Sequence, residues 1–159
     1  MGVRGQLQVR VGSELEDVYR KHGDRLWWAV LAYAGDRDVA SEAVAEAFAQ
    51  ALRRGDELRD PLAWVWRSAF RIAAGELKRR RRDLPLEERS YEMPEPSAVF
   101  IALGKLSRRQ RASVVLHYYA GYSLAETAEI LGSAKATVGV HLTRGRRRLR
   151  ELLEEEDDD

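Results

Sequence analysis

The chain has 159 residues, with 27 lysines and arginines against 26 acids, a formal net charge of +1, and no cysteine. That length allows one respectable core or two small ones, and the lack of cysteine excludes a disulfide framework and suits a reducing compartment. The longest apolar stretch, Trp27 to Ala34, is too short to span a membrane, and the opening MGVRGQLQVRVGS lacks a signal peptide's apolar core and fails the myristoylation pattern at Gln6, so a soluble cytoplasmic protein is expected.

No segment alternates as a strand does, so the expected fold is all-α, in two small helical domains at 13–82 and 98–153. Ser13 and Glu16 form a capping box, opening a helix whose buried stripe is Leu15, Val18/Tyr19, Leu26, Val30 and Tyr33, ending near Gly35. Asp36 or Asp38 starts a second helix, with Val39, Ala43/Val44, Ala47/Phe48 and Leu52 inward and Gly55 as its breaker. Glu42, Glu46, Ala49 and Arg53 share its other face by spacing. Asp60 and Pro61, an N-cap and a first-turn proline, open a third helix that runs to about Arg82. It buries Leu62, Val65, Ala69, Ile72, Ala73 and Leu77. Arg67, Arg71 and Lys78 lie on its solvent side, and it ends in the cationic run Lys78 to Arg82. Trp64 reads as a packed core residue, whereas Trp66 could be core or a stacking platform.

Residues 83–97 contain Pro85, Pro94 and Pro96 among acids, with a charge of −4 over 83–98. An extended, mobile linker is expected there, letting the two modules sit at different distances. A short helix then runs from Ser97 to about Lys105. Ser107 and Gln110 cap the next, which Gly121 closes. Ser123 with Glu126 is a third capping box, Ala128 is small where helices cross, and Gly132 turns the chain. Ser133 should cap a final helix with Val138, Leu142 and Leu149 inward.

This pattern reads as a helix-turn-helix, whose second helix enters the DNA major groove. Its exposed face offers Lys135, Ala136, Thr137, Gly139, Val140, His141, Arg144 and Arg148. Residues near its start should meet base edges, while Arg144 and Arg148 meet phosphates. Between Val99 and Leu153 there are ten Lys or Arg against three acids, +7, an electrostatic footprint for phosphate backbones. The six closing residues, 154–159, are all acidic and are expected to form a disordered solubilising tail. His22 and His117 read as helix-surface filling.

LSRRQRASVVLHYYAGYSLAETAEILGSAKATVGVHLTRGRRRLREL resembles the fourth conserved region of bacterial RNA polymerase sigma factors of the extracytoplasmic-function group. DRDVASEAVAEAFAQALRR resembles the polymerase-binding helix of their second region, and DPLAWVWRSAFRIAAGELKRRRR the helix that meets the downstream promoter element. The resemblance implies a factor that docks on core RNA polymerase and directs it to promoters, binding duplex and single-stranded DNA and aiding strand opening. It places polymerase contacts on Glu42, Glu46, Ala49 and Arg53. It places the downstream element on the loop holding Arg54, Asp56, Arg59 and Asp60, which relatives use to capture a flipped base, and on Arg67, Arg71 and Lys78. Ala45 stands where the family usually has Gln, and Arg71 where it usually has Asn. Gly139 and Val140 replace polar or basic residues, so shape should contribute more to upstream readout than hydrogen bonding does.

An anti-sigma factor is left open as a further partner. No Gly-rich phosphate loop, zinc-ligand spacing or cysteine nucleophile is present, so neither enzyme activity nor a cofactor or metal is expected. The competing readings are a stand-alone helix-turn-helix regulator, which leaves the first module unused, and a sigma-like decoy that binds without directing initiation.

Overall fold

The computed structural model describes the backbone of residues 2–83 and 97–158, and the side chains of 12–80 and 97–158. Its described residues are helical, as expected. In order they form α1 (Gly2–Ala34), α2 (Arg37–Arg54), a 3-10 turn (Gly55–Glu57), α3 (Pro61–Asp83), α4 (Ala98–Lys105), α5 (Arg108–Val114) continued by a π-helical turn (Val115–Tyr119), α6 (Leu124–Leu131) and α7 (Lys135–Asp157). The expected linker lies, apart from its ends, outside the described residues.

Helices α1 to α3 pack on one another. α1 does not begin at Ser13; it starts at Gly2, and Ser13 sits inside it. No proline interrupts this stretch, and one interior serine costs a helix only a few tenths of a kcal/mol. α1 ends where Gly35, at φ 66°, lets the chain turn. The Asp36 carboxylate then accepts from the Val39 N–H at 3.0 Å, starting α2.

Ala40, Ala43, Ala47 and Ala51 form the buried row of α2 with Val39 and Val44. Their small side chains let α2 approach both neighbours closely. The expected inward Leu52 is instead 59% exposed, because Ala51 takes the core position at the end of the helix. α3 starts as expected, with the Asp60 carboxylate accepting from the Ala63 N–H. Phe70, absent from the expected stripe, is its largest fully buried side chain.

In the C-terminal half both sides of the Ser107–Gln110 capping box form. The π turn widens the end of that helix: Ala120 N–H reaches Val115 O, and His117 Nδ1 lies 2.7 Å from Tyr122 O, so His117 fastens the turn and does not merely fill a surface. Gly132, at φ 62°, ends α6 in the left-handed conformation. Ser133 does not cap α7. Its N–H bonds back to Ala128 O, and the cap position falls to Ala134, which makes no side-chain bond. The acidic tail is not a separate coil either, since α7 continues to Asp157. Leu152 is buried and Leu153 packs beside it, extending the apolar stripe past Leu149.

The two halves touch. α3 packs on α6, and α1 on α5 and the π turn. Phe70 joins them, its ring 5.6 Å from that of Tyr33 and 6.2 Å from that of Tyr122. Arg111, only 8% exposed, donates to the carbonyls of Tyr33, Leu103 and Leu106. No helix among the described residues is long and apolar enough to cross a membrane.

Candidate nucleic-acid interface

The start of α7 is held by the elements behind it. Val138 is buried, and Gly145 lies flat against α5, so the helix is fixed at two points a few turns apart. The opposite side leaves Lys135, Ala136, Thr137, Val140, Arg144 and Arg148 exposed and Gly139 half-exposed. Arg148 pairs with Glu151 at 3.6 Å. His141 departs from this surface: it is half-buried and turns toward a cleft shared with Lys78. Gly139 has open space around the position of a side chain, so its effect on readout is one of missing atoms, not of crowding.

In α6 the Ser123 hydroxyl accepts from the Glu126 N–H at 3.1 Å, while the Glu126 carboxylate accepts from the Ser123 N–H at 3.2 Å. Those bonds, helped by Arg67, hold the Glu126 carboxyl below its ordinary value near 4.5. A carboxyl lowered in the folded state stabilises the fold above its unfolded value, and that contribution fades as pH falls through the folded value. Ser123→Ala should therefore cost about 1 kcal/mol at neutral pH. The Ser123 N–H, which does most to lower the Glu126 carboxyl, is kept in this variant, so the loss of stability on acidification should change little between denaturant melts at pH 7 and pH 4.

The downstream-element candidates divide into loop and helix. In the loop, Arg54 lies over the Trp64 ring at 5.4 Å, a cation–π contact that fixes both at the turn. Asp60 is engaged as the N-cap of α3, whereas Asp56 and Arg59 are exposed. On the helix, Arg67, Arg71 and Lys78 do share one side. That side is partly covered, because α6 lies against it, though Arg71 and Lys78 remain exposed. Arg67 pairs with Glu126 at 2.9 Å and Arg71 with Glu129. Lys78 lines a cleft of about 290 Å³ together with Arg109, Ser133 and His141. Trp64 and Trp66 are both half-buried. Trp66 also borders a second cleft between the halves, with Tyr119 and Tyr122.

Glu42, Glu46 and Arg53 are exposed and Ala49 half-exposed, on the side of α2 away from its alanine row. The Glu46 carboxylate accepts from Gln50 at 3.1 Å and Arg53 at 2.9 Å, which together hold it below the usual carboxylate value. Sequence reasoning missed the other wall of this site. Ile72, Glu76 and Arg79 of α3 join Glu42, Ala45, Glu46 and Ala49 in a groove of about 480 Å³. The signal was there in the i, i+4 and i+3 spacing of those three residues, but Ile72 was read as core and the exposed residues of this helix only for DNA.

The family model for sigma-70 region 4 matches residues 102–149. The chain is 30% identical over 155 residues to the ECF RNA polymerase sigma factor SigL of Mycobacterium tuberculosis, covering 87% of this chain and 88% of that protein. It is 29% identical over 149 residues to SigM of the same organism, covering 87% and 76%. Among solved structures, RpoE of Bartonella quintana in complex with the anti-sigma factor NepR aligns with a TM-score of 0.65 at 22% identity, over 90% of this chain and 96% of that one. CnrH in complex with the cytosolic domain of CnrY aligns at 0.62 and 25% identity, over 94% of each.

Proposed function

This chain belongs to the ECF RNA polymerase sigma factors, a family of transcription initiation factors, and on that premise we propose how its surfaces divide the work. The α2–α3 groove around Glu42, Glu46, Ala49 and Arg53 grips core polymerase. The Arg54–Asp60 loop with Arg67, Arg71 and Lys78 holds the downstream element, whose bases are unstacked. The α7 face from Lys135 to Arg148 reads the upstream duplex. On this reading residues 13–82 and 98–153 are the two working domains, joined through 83–97.

The chain acts by binding and not by catalysis, and it works in the cytoplasm beside the polymerase. An anti-sigma factor is a further proposed partner, supported by the likeness to CnrH in complex with the cytosolic domain of CnrY.

One observation carries this division. Separate polar surfaces stand on three helices of one small chain, an acidic groove on α2 and cations on both α3 and α7. A stand-alone regulator has no use for the first of these. Core polymerase reconstituted with the chain should initiate at defined starts that core alone does not use. Transcript-start mapping showing no gain over core would refute the division.

Within α7, Arg144 makes no ion pair among the described residues, so its guanidinium is available to a phosphate. Arg144→Ala should weaken binding to all upstream sequences alike and reduce the slope of log affinity against log salt by about one. Lys135→Ala should instead shift preference among sequences. A salt titration of holoenzyme on two promoters separates these outcomes, and an unchanged slope for Arg144→Ala would remove it from the phosphate contacts.

A further inference from the structure

We infer that α7 reads thymine methyl groups through an apolar stripe of Ala136, Val140 and Thr143, with Val140 at its centre. The inference rests on the assignment of α7 to the upstream duplex. It adds the chemistry by which that surface tells one base pair from another.

The stripe follows from spacing. Residues 136, 140 and 143 are four and three apart, so they stack along one side of the helix. That side is opposite Val138 and Gly145, which hold α7 to the elements behind it. All three stripe residues are exposed. Val140 is 47% exposed, whereas Val138 and the leucines of α7 are buried or half-buried. A single exposed valine would carry no meaning by itself. This one stands in the middle of the surface that also bears Lys135, Arg144 and Arg148. A β-branched side chain there lowers helix propensity and gains nothing from burial in the fold.

The stripe has little to offer a hydrogen-bonding base edge. Ala136 and Val140 carry no polar side-chain atom. Thr143 has a hydroxyl, but its proton goes to the Gly139 carbonyl at 2.9 Å. Thr143 therefore presents a methyl group and no free donor. Gly139 adds no atoms, and the space where its side chain would stand is open. A groove laid on this face meets methyls at the centre and cations at the margins. In the major groove thymine alone presents a methyl group, and apolar side chains are what contact it. The cations fix the helix on phosphates, while the stripe selects T·A pairs at the positions it covers.

The test uses holoenzyme reconstituted with the full chain, on a promoter whose upstream element has been mapped by single base-pair changes. Every thymine of that element is replaced by deoxyuridine, which lacks the methyl and keeps the O4 acceptor. Affinity should fall about fourfold for each thymine contacted, the weight of one buried methyl. Val140→Ala should bind the parent DNA more weakly and lose most of the difference between thymine and uracil. The fold should survive this change, since the site is exposed and alanine is the better helix former. Val99→Ala, which trims a comparably exposed valine on α4, should keep the full difference.

Equal affinity for thymine and uracil DNA would overturn the inference, as would an upstream element in which no thymine matters. Full discrimination retained by Val140→Ala would overturn it too. Arg144→Ala is measured on both DNAs alongside. If it weakens neither, the assignment of α7 to the upstream duplex fails. If it weakens both alike while uracil has no effect, the methyl readout alone fails.

Discussion

Gly145→Val is expected to destabilise the packing of the C-terminal helices while α1 to α3 keep theirs. A side chain at position 145 would start 3.0 Å from Val114 Cγ2, 3.1 Å from Gln110 Cβ and 3.2 Å from the Gln110 carbonyl oxygen. The carbonyl belongs to the α5 backbone and cannot swing aside, so valine must push α7 away from α5. Overpacking of this kind costs about 1–3 kcal/mol and can cost more, and a small domain has little to spare. Gly145→Ala opposes a smaller clash with the better helix propensity of alanine, a gain of about 1 kcal/mol, and should fall near neutral. Urea melts should show a lower midpoint for valine than for alanine. In reconstituted transcription, Gly145→Val should retain polymerase binding through α2 and lose upstream recognition. A valine variant as stable as the parent would show that the α5–α7 crossing has slack the structure does not display.

The same position shows where reading the sequence runs out. Val138 and the Ser123–Glu126 box were legible because local spacing and capping chemistry determine them. Gly145 was not, because nothing nearby in the chain says that α5 will cross at that point. Leu52 failed for a related reason: periodicity permits either Ala51 or Leu52 inward, and only the closeness of α1 and α3 favours the smaller. Ser133 looked like a cap, yet the reverse turn at Gly132 had already engaged its N–H. Arg67, Arg71 and Lys78 were rightly placed on one side of one helix. What covers that side depends on a contact between residues about 60 apart in the chain, and charge patterning within a single helix cannot announce its partner. For the α2 site the sequence offered one wall, Glu42, Glu46, Ala49 and Arg53, and the fold added Ile72, Glu76 and Arg79 as the other.

That two-walled groove sets the largest functional effect. Glu42→Arg/Glu46→Arg should abolish assembly with core polymerase while leaving the fold intact. Both carboxylates are exposed, and the buried row of α2 is on the other side, so no apolar packing is lost. The reversal does forfeit the bonds from Gln50 and Arg53 to Glu46 and places like charge near Arg53, Arg79 and Arg80. Exposed pairs are worth about 0–1 kcal/mol each, so a melt should shift by only a few degrees. On the proposed docking, the same reversal puts cations where the partner would meet carboxylates. Truncating one side of a buried charge pair costs about 2–5 kcal/mol, and reversing two charges should weaken assembly at least a hundredfold. Glu46→Gln, which keeps an acceptor for Arg53, should fall between the parent and the double variant. Co-purification with core polymerase is read beside the thermal melt. A double variant that still assembles and still directs transcription would move the docking surface off α2, and the groove with Ile72, Glu76 and Arg79 would be left without a partner.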